Sequence, residues 1–175
     1  MNNIINRNNL IVLVYLAAIV SANLIITALG PAATIVTAFI FIGLDLSSRD
    51  FLHEAWDNNG LVWKMALLIA AGSIISYGLN VAAGPIALAS FCAFAAAGII
   101  DAIVYQFLKD KTRLVRINGS NIFSSAADSV IFPLMAFGSF PGIALIMLGQ
   151  FASKFFGGAL WGFVIDWAYK KFDKK

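Results

Sequence analysis

Charged residues are scarce in this chain of 175 residues. Only 12% of the residues are Asp, Glu, Lys or Arg, whereas an ordinary soluble domain has about 25%. Apolar residues make up 61% of the sequence. This composition excludes a disordered chain, a soluble enzyme and a nucleic-acid binder of the usual kind. The formal net charge of +3 therefore does not indicate nucleic acid as a partner.

Cysteine and histidine are nearly absent as well. The one cysteine, Cys92, excludes an internal disulfide framework and a cysteine-based metal site. The one histidine, His53, excludes the helical His-Glu-x-x-His zinc motif, although Glu54 follows it. The sequence also shows no phosphate-binding loop, nucleophile elbow or carboxylate pair suited to hydrolysis. We therefore expect no metal, no other cofactor and no enzymatic activity.

Long apolar runs are what the sequence has in abundance. A membrane-spanning helix needs about 20 apolar residues, and six stretches approach or exceed that length. They cover residues 10–29, 31–46, 61–80, 85–108, 120–138 and 141–169. A short apolar stripe behind a Ser47 and Asp50 capping pattern predicts an interfacial helix at about 48–57. The expected fold is an all-α integral membrane protein, a single domain over residues 1–175, with six spans in three helical hairpins.

The cations lie on one side of this predicted bundle. Eleven of the 12 Lys and Arg residues fall near the N-terminus, in or beside the second and fourth connections, or at the C-terminus. The twelfth, Lys154, is inside the sixth span, and the other three connections have none. By the positive-inside rule both termini are cytoplasmic. The sequence thus predicts a multi-pass protein of the cytoplasmic (inner) membrane.

Polar side chains line one face of the fifth predicted span. They recur at helical spacing as Asn121, Ser124, Ser125 and Asp128. The sixth span places Gln150, Lys154 and Trp161 on one face. In an antiparallel hairpin Asp128 and Lys154 differ by about 5 Å in depth, which a lysine side chain can bridge. Because a charge at the bilayer centre costs at least ~2.5–3.5 kcal/mol, we predict an Asp128–Lys154 ion pair, either purely structural or part of a transport pathway.

Three further polar residues lie in other predicted spans. Asn23 is in the first, Asn80 ends the third, and Asp101 is deep in the fourth. Each is a candidate ligand contact. The alternative for the two asparagines is a helix–helix hydrogen bond, worth about 0.6 kcal/mol per contact. Asp101 is a candidate proton site or partner of a cation.

The segment Arg116–Phe132, which reads RINGSNIFSSAADSVIF, is similar to the signature of the queuosine-precursor transporters, also called the VUT family. Members show an arginine, then Ser-Asn, then small polar residues, then Asp-Ser and an aromatic residue. Asn23, Asp45 and Lys154 also resemble family positions. The chain departs from the family after the second span. There it has Arg49 and His-Glu-Ala-Trp, where the family often has a glutamate and a Tyr-Gly pair.

The resemblance implies import of a 7-deazaguanine, such as 7-cyano-7-deazaguanine, for tRNA modification. Its partners would be this small purine-like substrate and the lipid bilayer, without nucleic acid; a homodimer is one assembly left open. We predict a substrate-binding role for these residues: Asn121, Ser125, Asp128, Lys154, Gln150, Asn23, Asn80, Asp101 and Trp161. The amide and carboxylate groups of that set would read the ring edge, and either Trp161 from the set or Phe132 from outside it would stack on the ring.

Two other interpretations of the sequence stay open. One is the substrate-binding subunit of an energy-coupling-factor type vitamin importer, a class that also has about six spans and no ATPase of its own. The other is a membrane protein without transport activity, such as an assembly factor or a membrane enzyme. Because no ATP-binding motif is visible, transport would depend on a gradient, on downstream trapping or on a separate energising subunit.

Overall fold

The computed structural model describes residues 2–56 and 61–172, which are helical except at the turns. The helices are α1 (Asn2–Leu29), α2 (Ala33–Thr37), α3 (Gly43–Trp56), α4 (Leu61–Leu79), α5 (Gly84–Phe107), α6 (Arg113–Phe137) and α7 (Ile143–Phe172). A π-helical segment, Ala38–Ile42, joins α2 to α3 without a break, and we call residues 33–56 the second helical segment. A 3-10 turn, Val81–Ala83, precedes α5. The described residues therefore form six long helical segments and no strand, which confirms the predicted all-α class.

Length and composition single out three of these segments as able to cross a membrane. They are Asn9–Leu29, Val81–Phe107 and Ile143–Ile165. The helices at Ala33–Asp45 and Trp63–Leu79 are apolar but shorter. α6 belongs to neither group, because it carries the polar stripe that the sequence predicted for the fifth span. The six predicted spans thus correspond to six helical segments, of which three meet this criterion within the described residues.

The helical segments enclose a central space. Going round it, α1 packs on the second helical segment, which packs on α7, then α6, then α5, and α5 returns to α1. α4 lies outside this ring and packs against both α1 and α5. Each predicted hairpin pair is in contact: α1 with the second helical segment, α4 with α5, and α6 with α7. This arrangement directs the polar faces of α6 and α7 toward the same space.

Tight turns join the hairpin partners. Gly30 has φ +76°, Gly138 has φ +70° and Gly142 has φ +95°, a left-handed region that glycine enters without a steric penalty. Pro85 opens α5 in its first turn, where the missing N–H is not needed. These short turns keep consecutive helices antiparallel and adjacent.

Two glycines bring α7 unusually close to the second helical segment. A Cβ added to Gly43 would lie 2.6 Å from the backbone carbon of Gly157. A Cβ added to Gly157 would collide with the carbonyl oxygen of Phe39 in the π-helical segment. Next to this crossing the Ser47 hydroxyl donates to the Gly158 carbonyl at 3.0 Å. The close approach fixes the face of α7 that also carries Gln150 and Lys154.

The structure corrects the prediction of a separate interfacial helix at 48–57. The helix continues from the second span to Trp56, and the Leu52 side chain is fully buried. The capping pattern misled because Ser47 does not cap a new helix. Its hydroxyl bonds to Gly158 of α7 instead.

Candidate functional site

A small cavity, mostly apolar but with several polar side chains in its lining, lies inside the ring of helical segments. Its lining residues come from α1, the second helical segment, α5, α6 and α7: Ala22, Asn23, Ile26, Thr34, Thr37, Ala38, Ile42, Ser90, Phe94, Asp128, Phe132, Gln150 and Lys154. We call it the central cavity. Its volume is about 20 Å³, which is room for roughly one water molecule. A drug-sized ligand pocket holds about 300–1,000 Å³, so the structure shows the cavity closed.

Lys154 is the centre of the polar network in this cavity. Its ammonium donates to Asp128 Oδ2 at 2.6 Å, to Ser129 Oγ at 3.0 Å and to Gln150 Oε1 at 3.3 Å. Lys154 is 3% exposed and Gln150 2% exposed. The predicted ion pair between Asp128 and Lys154 is therefore present, and three acceptors satisfy the three donors of the ammonium. Such compensation is what a buried charge requires.

Local sequence explains how these groups converge. Gln150 and Lys154 are four residues apart on α7, so they lie on one face of that helix. Asp128 and Ser129 precede the buried Pro133 of α6 by five and four residues. Proline has no N–H to donate to the Ser129 carbonyl and its ring crowds that carbonyl. The helix is thus weakened in the turn that carries the ion pair.

Asn23 is a polar residue that α1 contributes to the lining. It is 2% exposed, and its amide nitrogen donates to the Ser76 hydroxyl of α4 at 3.1 Å. Ser76 in turn donates to the Gly72 carbonyl at 2.7 Å. Asn23 therefore joins α1 to α4, as its structural interpretation predicted, and at the same time borders the central cavity.

Two aromatic side chains border the cavity from α5 and α6. Phe94 and Phe132 are buried, and Phe132 packs edge-on against Phe137 with ring centroids 6.2 Å apart. Phe132 was one of two aromatic residues that the sequence suggested for stacking. The other, Trp161, is only half-buried on α7 and lies outside the cavity lining.

The structure brings four of the predicted site residues together and leaves five outside. Asn23, Asp128, Gln150 and Lys154 line the central cavity. The five outside the lining are Asn121, Ser125, Asn80, Asp101 and Trp161. Helical spacing placed Asn121 and Ser125 on the face of Asp128, but the lining of the closed cavity begins at Asp128.

Asn80 and Asp101 have other surroundings. Asn80 is exposed, and its side chain accepts from the Ala82 backbone N–H at 3.0 Å, so it caps the 3-10 turn. Asp101 is half-buried on α5, and its buried Oδ1 has no hydrogen-bond partner among the described residues. Neither residue touches the polar network of Lys154.

Sequence reasoning missed four further residues of the lining, Thr34, Thr37, Ser90 and Phe94. Thr34 and Thr37 lie three residues apart in the second span, a helical spacing that would have marked one face. Both hydroxyls donate to carbonyls of their own helical turn, at 2.6 Å to Pro31 and 3.0 Å to Ala33. Ser90 and Phe94 are likewise four residues apart on α5. Within the described residues no cluster of His, Cys, Asp or Glu could hold a metal ion.

A bundle of apolar helices that closes around a buried ion pair, amide groups and aromatic rings indicates a multi-pass membrane protein. Comparison with family profiles agrees. Residues 9–168 match the profile described as "Putative vitamin uptake transporter". The chain therefore belongs to this family, the VUT family that the segment Arg116–Phe132 predicted. Comparison with curated proteins and with solved structures gives no match.

Proposed function

We propose that this protein imports a queuosine precursor, a 7-deazaguanine such as 7-cyano-7-deazaguanine, for tRNA modification. Membership of the transporter family supports transport as the activity. The chemistry of the central cavity supports a flat ring with a polar edge as the substrate. The observation that carries the proposal is the buried Asp128–Lys154–Gln150 network facing a cavity that two phenylalanines also line.

The lining groups match such a ligand in kind. A guanine-like edge has N–H donors beside a carbonyl acceptor. Asp128 accepts from N–H groups, whereas the amides of Asn23 and Gln150 both donate and accept. Phe94 and Phe132 offer apolar ring faces to a flat heterocycle. Specific polar groups within a mostly apolar lining are typical of small-molecule sites.

The closed cavity implies that binding involves movement of helices. A bicyclic ring does not fit in about 20 Å³, so substrate entry requires separation of some of the five segments that surround the space. We assign the closed cavity to an occluded state between two openings, as expected for alternating access. In the proposed orientation both termini face the cytoplasm and the protein lies in the inner membrane, with a gradient or downstream trapping as the driving force.

The experiment is rescue in a bacterium that cannot make 7-deazaguanines and lacks its own importer. The cells receive 7-cyano-7-deazaguanine at low concentration, and queuosine in tRNA is measured with and without this protein. Asp128→Asn tests the cavity, and Asp110→Asn, the same change at an exposed connection, is the matched control. We expect rescue by the wild type and by Asp110→Asn, and loss of rescue with Asp128→Asn.

Other outcomes separate the alternatives. Absence of rescue by a wild-type protein that is inserted in the membrane would contradict the proposed substrate. Co-purification with a coupling protein and ATPases would favour a substrate-binding subunit of an energy-coupling-factor importer. Rescue by the Asp128→Asn variant would support the proposed substrate. It would contradict a role of the central cavity in transport of that substrate.

A further inference from the structure

The amide of Gln150 is only half satisfied. Its Oε1 accepts from Lys154 at 3.3 Å, but its buried Nε2 has no hydrogen-bond partner among the described residues. The side chain is 2% exposed and lines the central cavity. A buried donor without a partner is uncommon in folded proteins and indicates that a partner arrives from elsewhere.

The direction of this amide follows from its neighbour. The Lys154 ammonium has only donors, so the amide oxygen and not the amide nitrogen must face it. Nε2 therefore points away from Lys154. The same ammonium contacts Oδ2 of Asp128, and this bond does not use the lone pairs of Oδ1. One lysine thus contacts two residues with complementary groups to offer: Gln150 has a donor without a partner, Nε2, and Asp128 has a second acceptor oxygen, Oδ1.

We propose that Gln150 and Asp128 together recognise a cyclic-amide edge, in which a ring carbonyl adjoins a ring N–H. Gln150 Nε2 donates to the carbonyl oxygen, and Asp128 accepts from the N–H. This inference rests on the proposed function, because a 7-deazaguanine has such an edge. The inference goes beyond the proposed function because it names the two residues that determine which ring edge is accepted. It also states which of them binds the carbonyl and which binds the N–H.

The proposal predicts strong discrimination between two ligands of the same shape. In the 6-amino analogue of 7-cyano-7-deazaguanine, an amino donor replaces the carbonyl and the adjoining ring nitrogen becomes an acceptor. Donor would then face donor at Gln150, and acceptor would face acceptor at Asp128. We expect the wild type to bind the 6-oxo compound about 10- to 100-fold more tightly than the 6-amino compound, since one unmatched buried group suffices for such a ratio.

The test measures both affinities by calorimetry on purified protein in detergent. Gln150→Glu keeps the oxygen that faces Lys154 but exchanges the free donor for an acceptor. The double variant Gln150→Glu, Asp128→Asn exchanges donor and acceptor and keeps the net charge of the network. Gln106→Glu, the same change on an exposed side chain of α5 outside the cavity, is the matched control. We expect the preference to shrink in the single variant, to reverse in the double variant and to persist in the control.

Each result decides a different point. Equal binding of the two compounds by the wild type overturns the recognition role. This outcome is measured on the wild type alone, so it does not depend on whether a variant folds. A wild-type preference that the double variant retains also overturns it. Failure of the wild type to bind either compound overturns the proposed function, and the recognition role fails with it. Reversal of the preference supports both.

Discussion

Removal of the ammonium of Lys154 should destabilise the protein more than removal of the carboxylate of Asp128. Lys154→Met leaves the Asp128 carboxylate, which is 10% exposed, without the cation that neutralises it. Loss of one partner of a buried ion pair typically costs about 3–5 kcal/mol. Asp128→Asn should lower the free energy of unfolding by less. The ammonium keeps the oxygens of Ser129 and Gln150 as acceptors, and the oxygen of the new amide replaces that of the carboxylate. We expect a loss of about 3–5 kcal/mol in the free energy of unfolding for Lys154→Met.

The assay is denaturant unfolding in detergent, followed by tryptophan fluorescence, for the two single variants and the double variant Asp128→Asn, Lys154→Met. The double variant should lose less than the two single losses combined, because it leaves no unpaired charge. Lys109→Met, at an exposed lysine, should stay within about 0.5 kcal/mol of the wild type. Equal stability of Lys154→Met and the wild type, or additive losses in the double variant, would refute the argument.

Three further predictions concern the helix crossing, the cavity and the orientation. Gly157→Ala should lower the free energy of unfolding by more than about 1 kcal/mol, because its methyl group would collide with backbone, whereas Gly158→Ala meets open space and should not. Ala38→Val, which adds bulk to the cavity lining, should weaken ligand affinity at least 10-fold. Ala89→Val, the same change in the apolar core, should lower the free energy of unfolding but leave ligand affinity within about 3-fold of the wild type. Ser139→Cys in a cysteine-free background should react with an impermeant maleimide in intact cells if both termini are cytoplasmic.

The part of the site that the sequence could predict is the part governed by charge. Two opposite charges in apolar spans must meet, because each alone is expensive in a membrane. Helical rise along an antiparallel hairpin then brings Asp128 and Lys154 to a similar depth, and the structure places them 2.6 Å apart. Gln150 follows from its spacing to Lys154. These inferences need only local geometry and the cost of a buried charge.

The rest depended on how non-consecutive helices pack, which spacing alone does not reveal. Asn80 looked like an intramembrane polar residue but caps a turn at the surface. Thr34 and Ser90 looked unremarkable, and their place in the cavity comes from the order of helices around the ring. The close contact between Gly43 and Gly157 decides that order locally. Many glycines occur in the spans, and only the packing shows which pair lies at a crossing.

The closed cavity and its ion pair together limit the net charge that a ligand can carry. The ammonium of Lys154 already has three acceptors, and one of them, the Asp128 carboxylate, neutralises its charge. The ammonium therefore needs no contact with a ligand. A ligand that uses only Gln150 Nε2 and Asp128 Oδ1 can enter without breaking the ion pair, and the net charge of the pair stays at zero. A cationic or anionic ligand would instead add an uncompensated charge in a low-dielectric space. We therefore predict a preference for neutral ligands. Among the proposed substrates, a 7-deazaguanine with a nitrile meets that requirement, whereas its aminomethyl counterpart is a cation at neutral pH and does not.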